Sequence, residues 1–286
     1  METYSSVYLN ARRRLREVGV TAYELESRLI VMHATGMSRE ELLSSSKKYL
    51  TNIKTQKSIE KMTERRIAGE PLAYIIGGWE FCGVPLIISN AVLVPRVDTE
   101  VIAEEAIRLL CETQGSPRLL DLCAGSGCIG LAVAANVPEC RVVLADNSED
   151  ALAICRTNML KNHLSGRVIA VMADALAKPS EKLGKFDMIV CNPPYIPTAV
   201  IAEVDISVRG FEPVAALDGG EDGLDFYKAI AKNWTAVLKD NGLLAFECGA
   251  GQAEVVCGIM AGSGLNYIRT VDDTLGIKRV VVGRKS

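Results

Sequence analysis

Asn192-Pro193-Pro194-Tyr195 is an uncommon way to leave a strand. The apolar run Phe186-Asp187-Met188-Ile189-Val190-Cys191 in front of it reads as a buried strand. Proline restricts its predecessor to extended geometry, so Asn192 and Pro193 are both held extended, and neither proline has an N–H to compete for acceptors. The result is a stiff corner displaying the side-chain oxygen of Asn192 and nearby main-chain carbonyls, with the ring of Tyr195 as a flat wall. Two converging acceptors beside a ring suit a planar –NH2 group, which offers two donors and a π face. The nitrogen of such a group is a poor nucleophile because its lone pair is delocalised. Gripping both hydrogens and stacking the plane favours pyramidalisation and aims the lone pair at an electrophilic methyl. Holding the reacting atoms roughly 3–3.5 Å apart and in line supplies the entropic advantage. Fixed acceptors also stabilise positive charge growing on the nitrogen. No histidine base is needed, which suits a chain with two histidines. One proline at a strand exit is common, but the full tetrad points to amino-group methyl transfer.

A second constellation lies upstream. Leu119-Leu120-Asp121-Leu122 runs into Cys123-Ala124-Gly125-Ser126-Gly127-Cys128-Ile129-Gly130, and Gly125-x-Gly127-x-x-Gly130 matches a nucleotide-binding fingerprint. Glycines let the backbone approach a ligand, and the following helix presents free N–H groups. Helix-packing glycines mimic this pattern, so it gains weight from its place after the first strand of an α/β domain. The next strand, Arg141–Ala145, ends at Asp146, whose carboxylate can accept from both hydroxyls of a ribose; the other role open to it is as a helix N-terminal residue ahead of Ser148. A nicotinamide dinucleotide and S-adenosylmethionine both fit this much. With the latter, Asp121 and the backbone after the loop meet an amino acid end instead of a pyrophosphate. The Asn-Pro-Pro-Tyr stretch favours S-adenosylmethionine.

These residues need elements to position them. From Thr99 onward apolar strands at 118–122, 141–145, 168–173, 186–191 and 242–248 alternate with helical stretches at 99–112, 128–136, 148–163, 222–239 and 251–262. The alternation predicts an α/β fold with a parallel sheet covered on both faces. Tyr267–Val271 and Lys278–Val282 lie a short loop apart with no room for a helix, so they are expected to be antiparallel neighbours. Up to about Ala68 the spacing is helical, with a capping box at Ser38-x-x-Glu41, and predicts a small bundle. Between them Ala73-Tyr74-Ile75-Ile76, Trp79-Glu80-Phe81 and Leu86-Ile87-Ile88 are short β-rich runs punctuated by Gly and Pro, which read as a hairpin connector. The expected boundaries are 1–71 for the bundle, 72–97 for the hairpin linker and 98–286 for the α/β domain.

Of the 286 residues 49% are hydrophobic and 23% charged, ordinary for a soluble globular protein. No apolar run approaches a membrane span and the N-terminus lacks a secretory pattern, so a cytoplasmic protein without membrane contact is expected. Nine scattered cysteines without Cys-x-x-Cys point to reduced, mostly buried thiols and away from a zinc site. Residues 1–70 carry 13 Lys/Arg against 9 Asp/Glu, the remainder 19 against 26. A basic first segment can meet an anionic partner, yet Arg12-Arg13-Arg14 and Lys47-Lys48 individually read as solvated helix faces.

The motifs taken in order resemble the protein-glutamine N5-methyltransferases that modify bacterial-type peptide chain release factors. The resemblance spans nearly the whole chain: Arg65-Arg66-x-x-Gly69-Glu70-Pro71-Leu72-Ala73-Tyr74-Ile75, Glu80-Phe81, Leu93-Val94-Pro95-Arg96-Val97-Asp98-Thr99-Glu100, the glycine loop, Asn192-Pro193-Pro194-Tyr195-Ile196, Arg209-Gly210-Phe211-Glu212-Pro213 and Asp222-Gly223-Leu224. It implies a Rossmann-like class I S-adenosylmethionine-dependent methyltransferase domain whose seven-stranded mixed sheet ends in antiparallel strands. A small N-terminal helical domain would dock the release factor. The substrate it implies is the glutamine of a Gly-Gly-Gln loop, methylated on the amide nitrogen, with consequences for translation termination. By the same resemblance Cys123, Ala124, Gly125, Ser126 and Gly127 cradle the methionine part of S-adenosylmethionine and Asp146 binds its ribose. Asp174 and Ala175 lie near the adenine. Asn192, Pro193, Pro194 and Tyr195 hold the glutamine amide and carry catalysis, with Asn192 bordering the cofactor as well. Arg96 stands at the active-site edge or, equally, forms a salt bridge locking the connector. A monomer without metal or direct nucleic-acid contact is expected.

The sequence departs from the family's pattern in places. Cys123 begins the loop where Gly is frequent, Ala175 replaces an aromatic common beside adenine, and Gly210 separates Arg209 from Phe211-Glu212-Pro213. Losing an aromatic stack costs on the order of 1 kcal/mol of affinity. The nearest rival is an adenine or guanine amino-group methyltransferase, because an exocyclic –NH2 offers the same donors, although the net acidic catalytic half fits nucleic acid poorly. A nicotinamide-dependent dehydrogenase explains the glycine loop but not the tetrad. A non-catalytic release-factor binding module is the third reading.

Overall fold

Thr3 opens the first helix: its side chain accepts from the Ser6 N–H (3.1 Å) and α1 runs Tyr4–Glu17. Helices α2 (Tyr23–Thr35), α3 (Arg39–Ser44), α4 (Ile53–Ile67) and α5 (Leu72–Ile76) follow. Ser38 and Glu41 form the expected capping box on α3, at 3.2 and 2.8 Å, and Asn52 caps α4. The computed structural model describes residues 2–286 and groups them into two units. The first contains the chain up to Gly77 together with Ile206–Phe211. Leu15, Ile30, Val31, Ile59 and Met62 form its core, joined by Leu72 and Ile75.

Residues 72–76 are therefore a helix and not the β-rich run their composition suggested. Five apolar residues carry no periodicity of their own. Pro71, which has no N–H to lose, starts the turn, and Gly77 in the left-handed region (φ 70°) ends it. The arginine run is largely neutralised within this unit. Arg12 pairs with Glu24, Arg13 with Glu17, Arg14 with Glu64 and Arg66 with Glu26, so these side chains form no bare cationic face.

The second unit comprises Gly78–Asp205 and Glu212–Ser286. It begins with a hairpin, β1 (Gly78–Phe81) and β2 (Val84–Ile87). Next come α6 (Glu100–Cys111), β3 (Arg118–Leu122), α7 (Cys128–Asn136), β4 (Arg141–Asp146), α8 (Glu149–Lys161), β5 (Val168–Met172) and β6 (Phe186–Cys191). The short α9 (Ile206–Arg209) belongs to the first unit, where Ile206 and Phe211 border Gly69. The chain closes with α10 (Asp225–Asn233), β7 (Leu238–Glu247), α11 (Ala253–Gly262), β8 (Leu265–Asp272) and β9 (Lys278–Lys285).

Seven strands form one sheet in the order β5-β4-β3-β6-β7-β9-β8. The strands from β5 to β7 are parallel, and β9 runs antiparallel between β7 and β8, as the missing crossover helix required. Expected helix 222–239 is shorter than its pattern: α10 stops at Asn233, a 3-10 turn carries the chain to Val237, and β7 begins at Leu238. The early start of β7 is broken by a register shift, with Asn241 at φ 61°. Trp234, Tyr227, Phe186 and Phe246 anchor the core between sheet and helices. Among the described residues no helix is long and apolar enough to cross a membrane.

Candidate active site

Strand register dictates which residues share the carboxyl edge of the sheet. Leu122 is paired with Ala145 on one side and Cys191 on the other, and Cys191 is paired with Phe246. One residue further along each parallel strand lie Asp146 (β4), Cys123 (after β3), Asn192 (after β6) and Glu247 (β7). Four residues scattered over more than a hundred positions of sequence thus form one row.

The row is completed by the glycine loop. Cys123, Gly125 and Gly127 all have positive φ (60°, 54° and 79°), and the loop folds back so that Gly127 N–H donates to Ala124 (2.7 Å). A side chain at Gly127 would also meet Leu144 at 2.9 Å, so this glycine serves conformation and packing together. Both oxygens of Asp146 hold backbone: one accepts from Gly125 N–H (2.8 Å), the other from Ser148 N–H (3.0 Å). Carboxylate oxygens have lone pairs to spare, so Asp146 can fix the loop and still accept from a ligand. Behind the loop Asp121 accepts from Gly130 N–H (2.8 Å) through Oδ2. Burial pushes its carboxyl up to about 8; the Gly130 hydrogen bond opposes this and the Asp146 charge adds to it. Fully buried Asn158 on α8 binds the loop to the hairpin, contacting Ser126 and Ile87.

The loop opens on a cleft of about 970 Å³, counting the space at its mouth. Cys123, Ala124, Gly125, Ser126, Asp146, Ala175, Asn192 and Pro194 line it, so most of the expected residues meet at one cavity. Gly127 and Pro193 are absent from its lining. Tyr195 does not line it: its carbonyl accepts from Gln252 (3.1 Å), Gly249 packs beside its ring, and burial raises its hydroxyl to about 12. Asp174 is exposed and stays outside, its Oδ1 occupied by the Leu176 N–H of its own turn (2.9 Å). Arg96 also stays out of the lining, forming an ion pair with buried Glu212 (2.6 Å) between cleft-lining Pro95 and Pro213. Arg209 is exposed in the first unit.

Several residues to which sequence reasoning gave no role belong to the site. Phe226 is the aromatic side chain among the described cleft-lining residues. Thr99 lines the cleft and accepts from Asn192 Nδ2 (3.3 Å). Glu247, 3% exposed, sits close enough to Thr99 and Asn192 for both to favour its charged form. Burial raises its carboxyl to about 7, moderated by Thr99, the Arg279 charge and Asn192, while Asp98 pushes the other way. Asp121 Oδ1, Glu212 Oε2 and Glu247 Oε2 have no hydrogen-bond partner, and each belongs to a residue adjoining or bonded to the loop or lining. No group of three or more His, Cys, Asp or Glu among the described residues is placed to hold a metal ion.

The chain is similar to known proteins over most of its length. Residues 103–206 match the family described as Methyltransferase small domain, and residues 7–77 the PrmC N-terminal domain. A release factor glutamine methyltransferase of Geobacter sulfurreducens is 40% identical over 275 residues, covering 96% of this chain and 93% of its own. One from Agrobacterium fabrum is 36% identical over 286 residues, covering 99% and 98%. Among solved structures, the hMettl16 catalytic domain in complex with an RNA hairpin (MAT2A 3'UTR hairpin 6) superposes with TM-score 0.56 at 15% identity, covering 78% of this chain and 81% of its own, a likeness of fold.

Proposed function

This chain belongs to the release factor glutamine methyltransferase family, and we propose that it transfers a methyl group from S-adenosylmethionine to the side-chain amide nitrogen (N5) of the glutamine in a release factor's Gly-Gly-Gln motif. The observation that carries the reading at residue level is the position of Asn192. It lies in the same cleft as the glycine loop and Asp146, with its Nδ2 turned to Thr99. That arrangement leaves Oδ1 as the group free to accept a substrate N–H.

The residues present suit the donor. The cleft is of a size that takes a cofactor-sized molecule. Asp146 can accept from ribose hydroxyls. The unpartnered Asp121 Oδ1 behind the loop is a natural complement to an ammonium group, as on an amino acid end. Ala173, Ala175 and Phe226 form an apolar surface for a purine. With Asp174 facing solvent, the adenine side rests on these apolar groups. When bound, S-adenosylmethionine supplies an electrophilic methyl on a sulfonium.

The chain's own contribution is orientation and charge. Asn192 Oδ1 and a neighbouring carbonyl of the proline corner would accept the two hydrogens of the glutamine amide. This turns the nitrogen lone pair out of conjugation toward the methyl and stabilises the cationic nitrogen as the N–C bond forms. The spare proton leaves the nitrogen afterwards, so no strong base is required. The prolines fix the corner, while Tyr195, held by Gln252, buttresses it from outside the cleft. Arg96 and Glu212 brace the segment beside it. The first unit is assigned release-factor docking.

Mass spectrometry of the Gly-Gly-Gln peptide after incubating enzyme, release factor and methyl donor tests the reaction. A gain of one methyl on the glutamine is expected. Label entering RNA or DNA and not the protein refutes it. Asn192→Ala is expected to lower turnover on the order of 10²–10³-fold with S-adenosylhomocysteine affinity retained.

A further inference from the structure

We propose that Glu247 is a positioning residue: together with Thr99 it dictates which end of the Asn192 amide faces the substrate. The inference rests on the role proposed above for Asn192. An asparagine amide fits the same space in either of two orientations, one offering an acceptor and the other a donor. Presenting two N–H groups to a substrate –NH2 would abolish the site, so something must forbid that orientation.

Thr99 alone cannot. A hydroxyl both donates and accepts, so the 3.3 Å contact between Asn192 Nδ2 and Thr99 Oγ1 could be replaced by a Thr99 hydroxyl donating to a flipped Oδ1. Glu247 removes that freedom. In its ionised form, which Thr99, the Arg279 charge and Asn192 favour against burial, the carboxylate only accepts. Set beside Asn192 by the strand register and close enough to Thr99 and Asn192 for both to favour its charged form, it would take the Thr99 hydroxyl proton, leaving Thr99 Oγ1 to accept from Asn192, and would draw the second Nδ2 hydrogen toward itself. Both hydrogens of Nδ2 would then be engaged, leaving Oδ1 for the cleft.

The fold puts Glu247 there through the Cys191–Phe246 pairing, which sets it beside Asn192 in the row across the sheet edge. It is buried and absent from the cleft lining, so it acts through Asn192 and not on substrate. Its backbone carbonyl is pinned by the Tyr227 hydroxyl (3.0 Å), which fixes the end of β7. Burying a carboxyl next to Asp98, with Arg279 as the nearby cation, is unfavourable for stability alone. An orientation role accounts for its presence.

The test is a double-mutant cycle in the full-length enzyme, with kcat on release factor and S-adenosylhomocysteine affinity measured in parallel. Glu247→Met keeps the length and removes both acceptors. It is expected to lower kcat on the order of 10- to 100-fold, the coupling typical of one hydrogen-bond network, with affinity for S-adenosylhomocysteine within about 3-fold of wild type. Glu247→Gln retains an acceptor oxygen and should lose about 10-fold less than Glu247→Met. Thr99→Val, which leaves Glu247 in place, should also lower kcat, guarding against a misfolded Glu247 variant. In the Asn192→Ala background neither Glu247→Met nor Thr99→Val should matter further. Wild-type kcat in Glu247→Met, or the same loss with and without Asn192, overturns the positioning role while Asn192 keeps its own. Wild-type turnover in Asn192→Ala overturns the underlying reading and this one with it.

Discussion

Replacing Asn158 by alanine asks whether hairpin and glycine loop share one support. Its Oδ1 accepts from Ile87 N–H (2.6 Å), and its Nδ2 donates to the carbonyls of Ile87 (3.1 Å) and Ser126 (3.0 Å). At about 1 kcal/mol net per bond, the loss comes to about 3 kcal/mol. The two ends differ. Ser126 is buried, so its carbonyl goes unsatisfied and adds to the cost, whereas Ile87 is partly exposed and water recovers some of its share. These corrections oppose each other, and the expected destabilisation stays near about 3 kcal/mol. Urea unfolding followed by tryptophan emission is the assay, because both Trp79 and Trp234 belong to the second unit. Asn162→Ala is the control. Asn162 Nδ2 donates to the carbonyls of Pro85 and Asn158 at 3.0 and 2.9 Å but is partly exposed, so its loss should stay below about 1 kcal/mol. The loosened Ser126 should also weaken S-adenosylhomocysteine binding on the order of 5-fold, equivalent to about 1 kcal/mol. If both variants unfold at the same urea concentration, the buried amide is not the tie inferred from its contacts.

Three other substitutions have defined outcomes. Cys123 sits at φ 60°, so Cys123→Val should cost about 2 kcal/mol in the same unfolding assay while Cys123→Gly should cost nothing or gain up to about 1 kcal/mol; equal effects would show that backbone strain is not the issue. Asp121 holds its proton up to about pH 8 in the folded chain but only to about 3.9 unfolded. Its contribution to stability is therefore complete below about pH 4 and is lost as pH rises through about 8, with a slope of up to roughly 1.4 kcal/mol per pH unit. Asp121→Asn should flatten the decline of ligand-free stability between about pH 5 and 8, and parallel profiles would rule this out. Phe226→Ala should weaken S-adenosylhomocysteine by on the order of 1 kcal/mol, read by calorimetry, whereas unchanged affinity would place the adenine elsewhere.

What the sequence disclosed and what it hid follow one physical division. Strands buried on both faces announce themselves as apolar runs, and the residues that end them, Asp146, Cys123 and Asn192, could be picked out because ligand chemistry gathers where such strands stop. Side-chain chemistry decided by a distant partner could not be read in this way. Arg96 has its carboxylate 116 residues away, and Asp174 satisfies its own turn two residues on. The five-residue helix at Leu72–Ile76 is set by flanking Pro71 and Gly77 and by burial in the first unit's core, none of which periodicity registers. Glu247 is the instructive case. In the run Ala245-Phe246-Glu247-Cys248 it looks like an ordinary strand end, and only strand order gives it meaning. With β7 beside β6 and Cys191 opposite Phe246, the backbone register alone makes Asn192 and Glu247 neighbours. The missing information was therefore topological and not chemical. A parallel sheet fixes its carboxyl edge as a single row, so the order of its strands is enough to turn a list of strand-ending residues into a candidate site.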